Sequence, residues 1–313
     1  MSPTFKDYLE SKGHSTNTIN RFYTDVLMFM NWCEEEEIES ESSTYNEVLS
    51  YIHHLSKRGL KQRTVQLYIN SIKHYFAWCI QQELRTENPT TQIKIKGIKR
   101  KTLHHILSKQ DLESLYHQYE ITEEENTNEL SVLTSKRNKM IIGLLVYQGL
   151  STQELGKLEE KDVKLREGKI EIRGSRKSNP RTLKLEAHQV LDIMEYTLQV
   201  RPKLLAINKT KSDKLLVNSQ GGSHFSNVMQ YLMKQLKKQN SGVKSAQQIR
   251  TSVITHWLKR YNLREVQYRA GHRYVSSTEA YLINDLEGLK EDIEKFHPFL
   301  ETTAAVKKQT NGR

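Results

Sequence analysis

The sequence predicts a mainly α protein with a small antiparallel β-sheet, an α+β fold built in two domains. Three observations lead there. A helical pattern of apolar residues repeats within roughly the first 90 positions, three short runs between Val163 and Leu185 alternate as strands do, and Asn88–Pro89 interrupts the chain between these regions. Proline drives the residue before it out of the helical conformation, so the first unit ends there. With 313 residues, each domain can bury a core of its own.

In the first domain, expected over residues 1–88, Thr18, Ile19, Phe22, Val26, Phe29, Met30, Trp32 and Cys33 recur 46 positions later. The second set is Thr64, Val65, Tyr68, Ile72, Tyr75, Phe76, Trp78 and Cys79. Both sets keep helical spacing, which predicts two similar long helices, with Ser15 as N-cap of the first. Tyr45 to Arg58, with Val48, Leu49, Ile52 and Leu55 on one side, forms a helix between them and completes a four-helix unit. The aromatics share a face with Val26 and Ile72, so they are read as core rather than as a base-stacking platform. Lys57, Arg58, Lys61, Arg63 and Lys73 fall on the other faces, where each is either a phosphate contact or a solvated charge.

Residues 89–107 read as a basic linker. Lys94, Lys96, Lys99, Arg100 and Lys101 occur with no acidic residue before Ser108, which suits either a strap along DNA phosphates or a solvated connection. The second domain is expected over 108–300, with a frayed tail at 301–313. Leu107, Ser108 and Leu112 open a helix, and the apolar helix from Met140 to Gln148 is broken by Gly149 and Leu150. Ser151 and Glu154 then form a capping box. Strands are predicted at Val163–Leu165, Lys169–Arg173 and Thr182–Leu185, with a basic turn from Gly174 to Pro180. Helices follow at Ala187–Gln199, Ser223–Lys238, Ala246–Tyr261, Leu263–Ala270 and Asp285–Phe296.

A formal charge of +11 and a pI near 9.4 point to a polyanionic partner, although a merely basic surface gives the same values. The first ten residues lack the apolar run of a signal peptide, and no apolar stretch approaches membrane-spanning length, so no membrane partner and a cytoplasmic location are expected. Cys33 and Cys79 are too few for a zinc cluster and read as small buried hydrophobes. There is no phosphate-binding Gly-rich loop ending in Gly-Lys-Ser/Thr, and no clustered Asp/Glu set for two-metal nuclease chemistry. No cofactor and no metal are expected.

The candidate chemistry sits between Ala270 and Tyr281, which reads Ala, Gly, His, Arg, Tyr, Val, Ser, Ser, Thr, Glu, Ala, Tyr and follows a helix carrying Arg250. A histidine just past a helix, a hydroxyl-rich turn and a tyrosine nine residues on can hold a phenol near a phosphate. Taken singly, Tyr281 fits a half-buried helix tyrosine, His272 a satisfied loop histidine and Arg250 a surface charge. Their joint spacing carries the inference. Gly271, His272, Ser277, Thr278 and Tyr281 resemble the last box of the tyrosine recombinases, the phage integrase family of DNA strand-exchange enzymes.

That resemblance implies a helical core-binding (SAM-like) DNA-binding domain, the basic linker and a tyrosine-recombinase catalytic domain, closing as a C-shaped clamp round double-stranded DNA. It also implies self-association into a tetramer on DNA, with the segment around Leu286 to Phe296 docking on a neighbour. The implied reaction cleaves and rejoins DNA through a 3′-phosphotyrosine. A tyrosine can attack a phosphodiester if positive groups neutralise the two non-bridging oxygens and something protonates the departing 5′ oxygen.

Carried over by residue, the family's nucleophile falls on Tyr281, its later histidine on His272 and its second arginine on Arg250. Its first arginine falls on Ser151, and the histidine three residues before Arg250 on Gln247. Counting back from Arg181, the hairpin lysine falls on Arg176, with Lys177 beside it. Lys177 is the better proton donor of the two, because a guanidinium is effectively never deprotonated. Arg173, Arg176, Lys177 and Arg181 are expected to face the phosphate and to offset the missing arginine, while Glu154 is read as a cap or a support. Two functional classes stay open: an active site-specific recombinase of a divergent branch, serving a mobile element, and a recombinase-fold DNA-binding accessory or regulatory protein that no longer cleaves.

Overall fold

The repeated pattern becomes two 20-residue helices, α2 (Thr16–Glu35) and α4 (Gln62–Gln81), which begin 46 residues apart. The computed structural model describes residues 4–97, 105–121, 128–176, 178–207, 209–219 and 225–282. Lys99, Arg100, Lys101, Lys177, the Asp285–Phe296 helix and the tail lie outside these. The chain divides into two units, Met1–Thr102 and Leu103–Arg313.

In the first unit α2 and α4 turn their repeated faces toward one core, burying Val26, Phe29, Trp32 and Cys33 from one and Ile72, Tyr75, Phe76 and Cys79 from the other. The polar pair between them keeps the same repeat, since Ser71 Oγ donates to Asp25 Oδ2 from a position 46 residues on. Helix α1 (Phe5–Ser11), capped by Thr4 and Asp7, sets Phe5 edge-on to Tyr75. Helix α3 (Tyr45–Lys57) is closed by a Thr44–Glu47 capping box. Its buried stripe is Val48, Tyr51 and Leu55, whereas Leu49, expected inside, is 39% exposed. Tyr51 takes the inner place because its ring meets Phe29 and Trp32, both at 5.1 Å between centroids.

Ser15 occupies the N-cap position of α2, but its Oγ meets Thr18 Oγ1 at 2.9 Å instead of a backbone N–H. Burial pushes the thiols of Cys33 and Cys79 up to about 11, so both stay protonated and pack as apolar groups. Lys57, Arg58, Lys61, Arg63 and Lys73 are all exposed, as are Lys94 and Lys96. Between those last two, Ile95 packs with Ile93 against this first core, while Leu107 is buried in the second.

The second unit is layered around α6 (Glu129–Val146), whose run from Met140 to Val146 is buried on every side. Helices α5 (Lys109–His117) and α11 (Ala246–Leu258) pack against it, and the Leu107 N–H donates to Ser252 Oγ at 2.9 Å. The expected sheet is present: β1 (Val163–Lys164), β2 (Lys169–Ile172) and β3 (Arg181–Lys184) lie antiparallel in that order. Its register sets Ile170 opposite Leu183 and Ile172 opposite Arg181. Alternation therefore buries Arg181 and Leu183 and leaves Thr182 and Lys184 outside.

Helix α8 (Ala187–Glu195) does not stop near Gln199 as its pattern suggests. It passes through a π-helical turn, Tyr196–Val200, into α9 (Arg201–Ile207), where Pro202 sits in the first turn and tolerates its missing donor. Helices α10 (Phe225–Gln239), α12 (Leu263–Ala270) and α13 (Val275–Glu279) follow, with α7 (Thr152–Leu155) a single turn after α6. Helix α11 ends at Leu258 rather than Tyr261, where the N–H groups of Arg260 and Tyr261 both return to the Trp257 carbonyl. No helix among the described residues is long and apolar enough to cross a membrane.

Candidate active site

The break between α6 and α7 builds one wall of the site. Gly149 sits at φ +57°, and a Cβ there would lie 3.1 Å from Val253 Cγ1, so glycine is strongly favoured at this turn. Two residues on, Ser151 caps α7: its Oγ accepts the Glu154 N–H at 3.2 Å, and Glu154 Oε2 accepts the Ser151 N–H at 2.8 Å and its hydroxyl at 2.7 Å. The expected capping box is thus formed, but its carboxylate does more. Glu154 Oε2 also accepts Arg250 Nη1 at 3.1 Å, and Oε1 accepts Arg181 Nη1 at 2.6 Å. One carboxylate joins a guanidinium from α11 to a guanidinium from β3.

Both arginines are buried, Arg250 at 7% exposure and Arg181 at 4%. The surface charge expected for Arg250 taken alone is not what the chain builds, because the carbonyls of Gly149 and Ala270 and the Glu154 carboxylate replace its water. Arg181 Nε donates to the Arg269 carbonyl at 2.8 Å. Gly271, the left-handed residue that ends α12 at φ +69°, lies flat on this guanidinium: a Cβ there would fall 2.2 Å from Arg181 Nη1. The α12 turn can therefore bring His272 in only because position 271 has no side chain.

His272 Nδ1 is 2.9 Å from Thr278 Oγ1, and Thr278 is fully buried. The His272 backbone is held too, its N–H on the Gln267 carbonyl and its edge bridged to Ser178 of the hairpin. Tyr281 follows α13, and its ring stacks on the imidazole with centroids 5.5 Å apart and planes 16° from parallel. Ile254, Val266 and Ala270 back Tyr281 as a small core of their own. A cleft opens above these groups, lined by Ser151, Glu154, Arg173, Ser178, Arg250 and His272 among others.

The electrostatics follow from burial beside two fixed cations. Burial, then the charges of Arg250 and Arg181, pull His272 down to about 4, so its imidazole is neutral at physiological pH. Burial alone would raise Glu154, yet hydrogen bonding and charge from Arg181, then the charge of Arg250, hold it at about 2. Burial also disfavours charge on Arg250, and Glu154 opposes that pull, joined by the Tyr281 phenol. The result is a cleft lined by a buried guanidinium and a neutral imidazole, with the Tyr281 ring stacked on that imidazole.

Arg250, His272 and Tyr281 are thus brought together as their spacing predicts. Arg173 is not a free hairpin cation, since its guanidinium pairs with Glu159 and Asp162 at the cleft wall. Arg176 is exposed at the hairpin tip, where its carbonyl accepts Arg273 Nη1 at 3.1 Å. Gln247 is exposed and lines a neighbouring cleft with Thr152, Lys234, Lys237 and Lys244, not the one that holds His272. The central place of Glu154 and the burial of Arg181 beside it go beyond what the sequence pattern leads one to expect. A signal for Arg181 does exist: it shares strand parity with Leu183, which marks the buried face.

The sequence pattern of the phage integrase family matches residues 105–287, and that of the phage integrase N-terminal SAM-like domain matches residues 4–83. The chain belongs to the phage integrase family. Among the relatives of this integrase is the tyrosine recombinase XerC of Staphylococcus aureus, 23% identical over 290 residues, which are 92% of each chain. The XerC of Staphylococcus epidermidis is 24% identical over 92% of this chain and 93% of its own. Among solved structures, XerH bound to a palindromic difH substrate in a post-cleavage complex shares the fold at TM-score 0.69 and 19% identity, over 92% of this chain and 82% of that one. A lambda integrase dimer bound to a COC′ core site aligns at TM-score 0.59 and 15% identity, over 88% and 74%. This integrase carries a serine, Ser151, where the resemblance sets the family's first arginine.

The Glu154 carboxyl sits at about 2 when folded against 4.5 unfolded, so its stabilisation is complete above about pH 4.5 and drains away as pH falls toward 2. The shift corresponds to roughly 3 kcal/mol. His272 acts in the same direction, staying neutral in the fold down to about pH 4 while an unfolded histidine takes its proton near 6.5. Glu154→Gln, which leaves two buried guanidinium groups without their carboxylate, is expected to cost about 3 to 5 kcal/mol in urea unfolding at pH 7. The variant's stability is expected to vary less than the parent's between pH 4.5 and 2.5. An unchanged acid limb would remove Glu154 from the centre of the site.

Proposed function

We propose that this chain is a site-specific DNA recombinase that cleaves and rejoins duplex DNA through Tyr281, in the service of a mobile element. The observation that carries the reading is the Tyr281 ring stacked on a neutral His272 beside the buried Arg250. In the reaction, Tyr281 Oη attacks the scissile phosphorus, the bond from phosphorus to the 5′ oxygen breaks, and a 3′-phosphotyrosine retains the bond energy for rejoining. The phenol gives up its proton as it attacks, and the leaving 5′ oxygen takes one.

Arg250 is assigned to a non-bridging oxygen, since three of its N–H groups are tied to protein and a guanidinium carries five donors. His272, with Nδ1 on Thr278, keeps its other ring nitrogen to bond the phosphate or to take the phenol proton. The proton for the 5′ oxygen is assigned to Lys177, next in sequence to Arg176, in preference to Arg176 itself. Gln247, in the neighbouring cleft, can donate a hydrogen bond there but cannot shuttle a proton.

Contacts with the DNA backbone are assigned to Lys57, Arg58, Lys61, Arg63 and Lys73 on the helical unit, and to Lys94, Lys96, Lys99, Arg100 and Lys101 after it. A tetramer on DNA is the proposed working form. Ser151 is the one feature that favours a second reading, an accessory DNA-binding protein that has lost cleavage, because a lost transition-state arginine costs roughly three or more powers of ten in rate when nothing replaces it.

Incubation with a nicked duplex carrying the cognate site, which traps the covalent intermediate, separates the two readings. The parent is expected to form a protein–DNA adduct, and Tyr281→Phe to form none while keeping its DNA affinity. A parent without adduct would leave the accessory reading, and an adduct that persists in Tyr281→Phe would move the nucleophile, with the exposed Tyr274 the next candidate. Replacing the five linker cations by alanine is expected to flatten the dependence of log affinity on log salt by about 0.9 for each phosphate no longer neutralised. An unchanged slope would make that stretch a solvated connection.

A further inference from the structure

Arg181 takes no part in the reaction described above, and its surroundings give it one. Its guanidinium touches Glu154 through Nη1 and the Arg269 carbonyl through Nε, and it lies against Gly271. Glu154 and Gly271 both line the cleft that also holds Arg250 and His272, and Arg181 lies directly behind them, its backbone side opening on the neighbouring cleft with Pro180, Thr182 and Tyr268. The third nitrogen, Nη2, is buried with no hydrogen-bond partner. A buried guanidinium nitrogen without an acceptor is costly, and such groups are almost always satisfied in the folded state. The acceptor that a recombinase brings to this cleft is a phosphate oxygen.

We propose that Arg181 is the second phosphate-clamping arginine of this site, supplied from β3 in place of the side chain that Ser151 does not provide. The proposal rests on the recombinase reading above. Glu154 makes the exchange possible, because the carboxylate fixes the position of a guanidinium whichever element brings it. It already holds Arg250 on one oxygen and Arg181 on the other, with the small Ser151 donating to it from the cap. Ser151 leaves open the volume that a long side chain at the start of α7 would fill. The inward parity of β3 directs Arg181 toward Glu154. Ion pairing with Glu154 and packing on Gly271 account for Nε and Nη1, but a purely structural role leaves Nη2 unexplained.

The test measures single-turnover adduct formation at saturating DNA on the nicked duplex, with melting temperature and DNA affinity recorded for each variant. The parent must first form adduct; if it does not, the recombinase reading fails before Arg181 is tested. In a parent that cleaves, Arg181→Ala is expected to slow adduct formation by at least 100-fold, and the further change Ser151→Arg to restore at least tenfold of that loss by returning a guanidinium from the α7 side. Cleavage within threefold of the parent in a folded Arg181→Ala would overturn the proposal. So would a loss that Ser151→Arg does not recover, which would make Arg181 a support for the turn at Gly271. Should Arg181→Ala fail to fold, Arg181→Lys decides: it keeps a charge for Glu154 without the planar fork, so a drop of about 100-fold is expected, and parental cleavage would refute the assignment.

Discussion

One carboxylate holds the candidate site together. Glu154 accepts Ser151 at the start of a helix, Arg250 from a second helix and Arg181 from a strand, so three separated stretches of chain meet on two oxygen atoms. The arrangement has a physical cost, since each buried cation gives up its water, and removing one partner of such a set leaves the others uncompensated. What it provides is order before DNA arrives. Catalysis by electrostatic stabilisation needs donors that are already in place when charge develops, and a carboxylate pinned between two guanidinium groups fixes Arg250 at the cleft, with Arg181 behind it. The same two cations, together with burial, keep His272 neutral, so the imidazole enters the site able both to donate and to accept.

Much of this is legible in the sequence, and the limits of legibility have physical causes. The helical unit can be read because its pattern is written twice, and even the polar contact between Asp25 and Ser71 keeps the repeat. Arg250, His272 and Tyr281 can be read because their spacing along the chain is itself part of the chemistry. The Ser151–Glu154 cap is a local signal with a fixed three-residue step, and it forms as expected. Arg181 is read among the hairpin cations expected to face the phosphate, but its burial is not legible, because its neighbours Glu154 and Gly271 lie 27 and 90 positions away along the sequence. Its strand parity with Leu183 marks it as inward-facing, but an inward arginine makes sense only once the buried carboxylate that meets it is known. Leu49 fails for a related reason: helical spacing allows two apolar stripes on α3, and the larger Tyr51 takes the buried one through its contacts with Phe29 and Trp32.

The glycines of the second unit show how backbone and chemistry constrain one another. Gly149 turns the chain so that its carbonyl meets Arg250, and Gly271 lets the turn that carries His272 lie against Arg181. A side chain at Gly271 would fall on the Arg181 guanidinium, whereas one at Gly149 would press on Val253 and Trp257 of the core that backs the turn. The integrase framework is therefore present here where it supports guanidinium groups, even though the residue at the head of α7 is a serine. Keeping the place of a charge is a weaker demand on sequence than keeping the residue that carries it, and Glu154 is the group that defines the place.

The most direct measurement is a structure of the covalent complex, with Tyr281 joined to the 3′ phosphate of a trapped cognate duplex. If Glu154 organises the site, two guanidinium groups will lie on the non-bridging oxygens, those of Arg250 and Arg181, both still bound to that carboxylate. A phosphotyrosine contacted by Arg250 alone, with Arg181 turned away beneath an intact Gly271 turn, would contradict it.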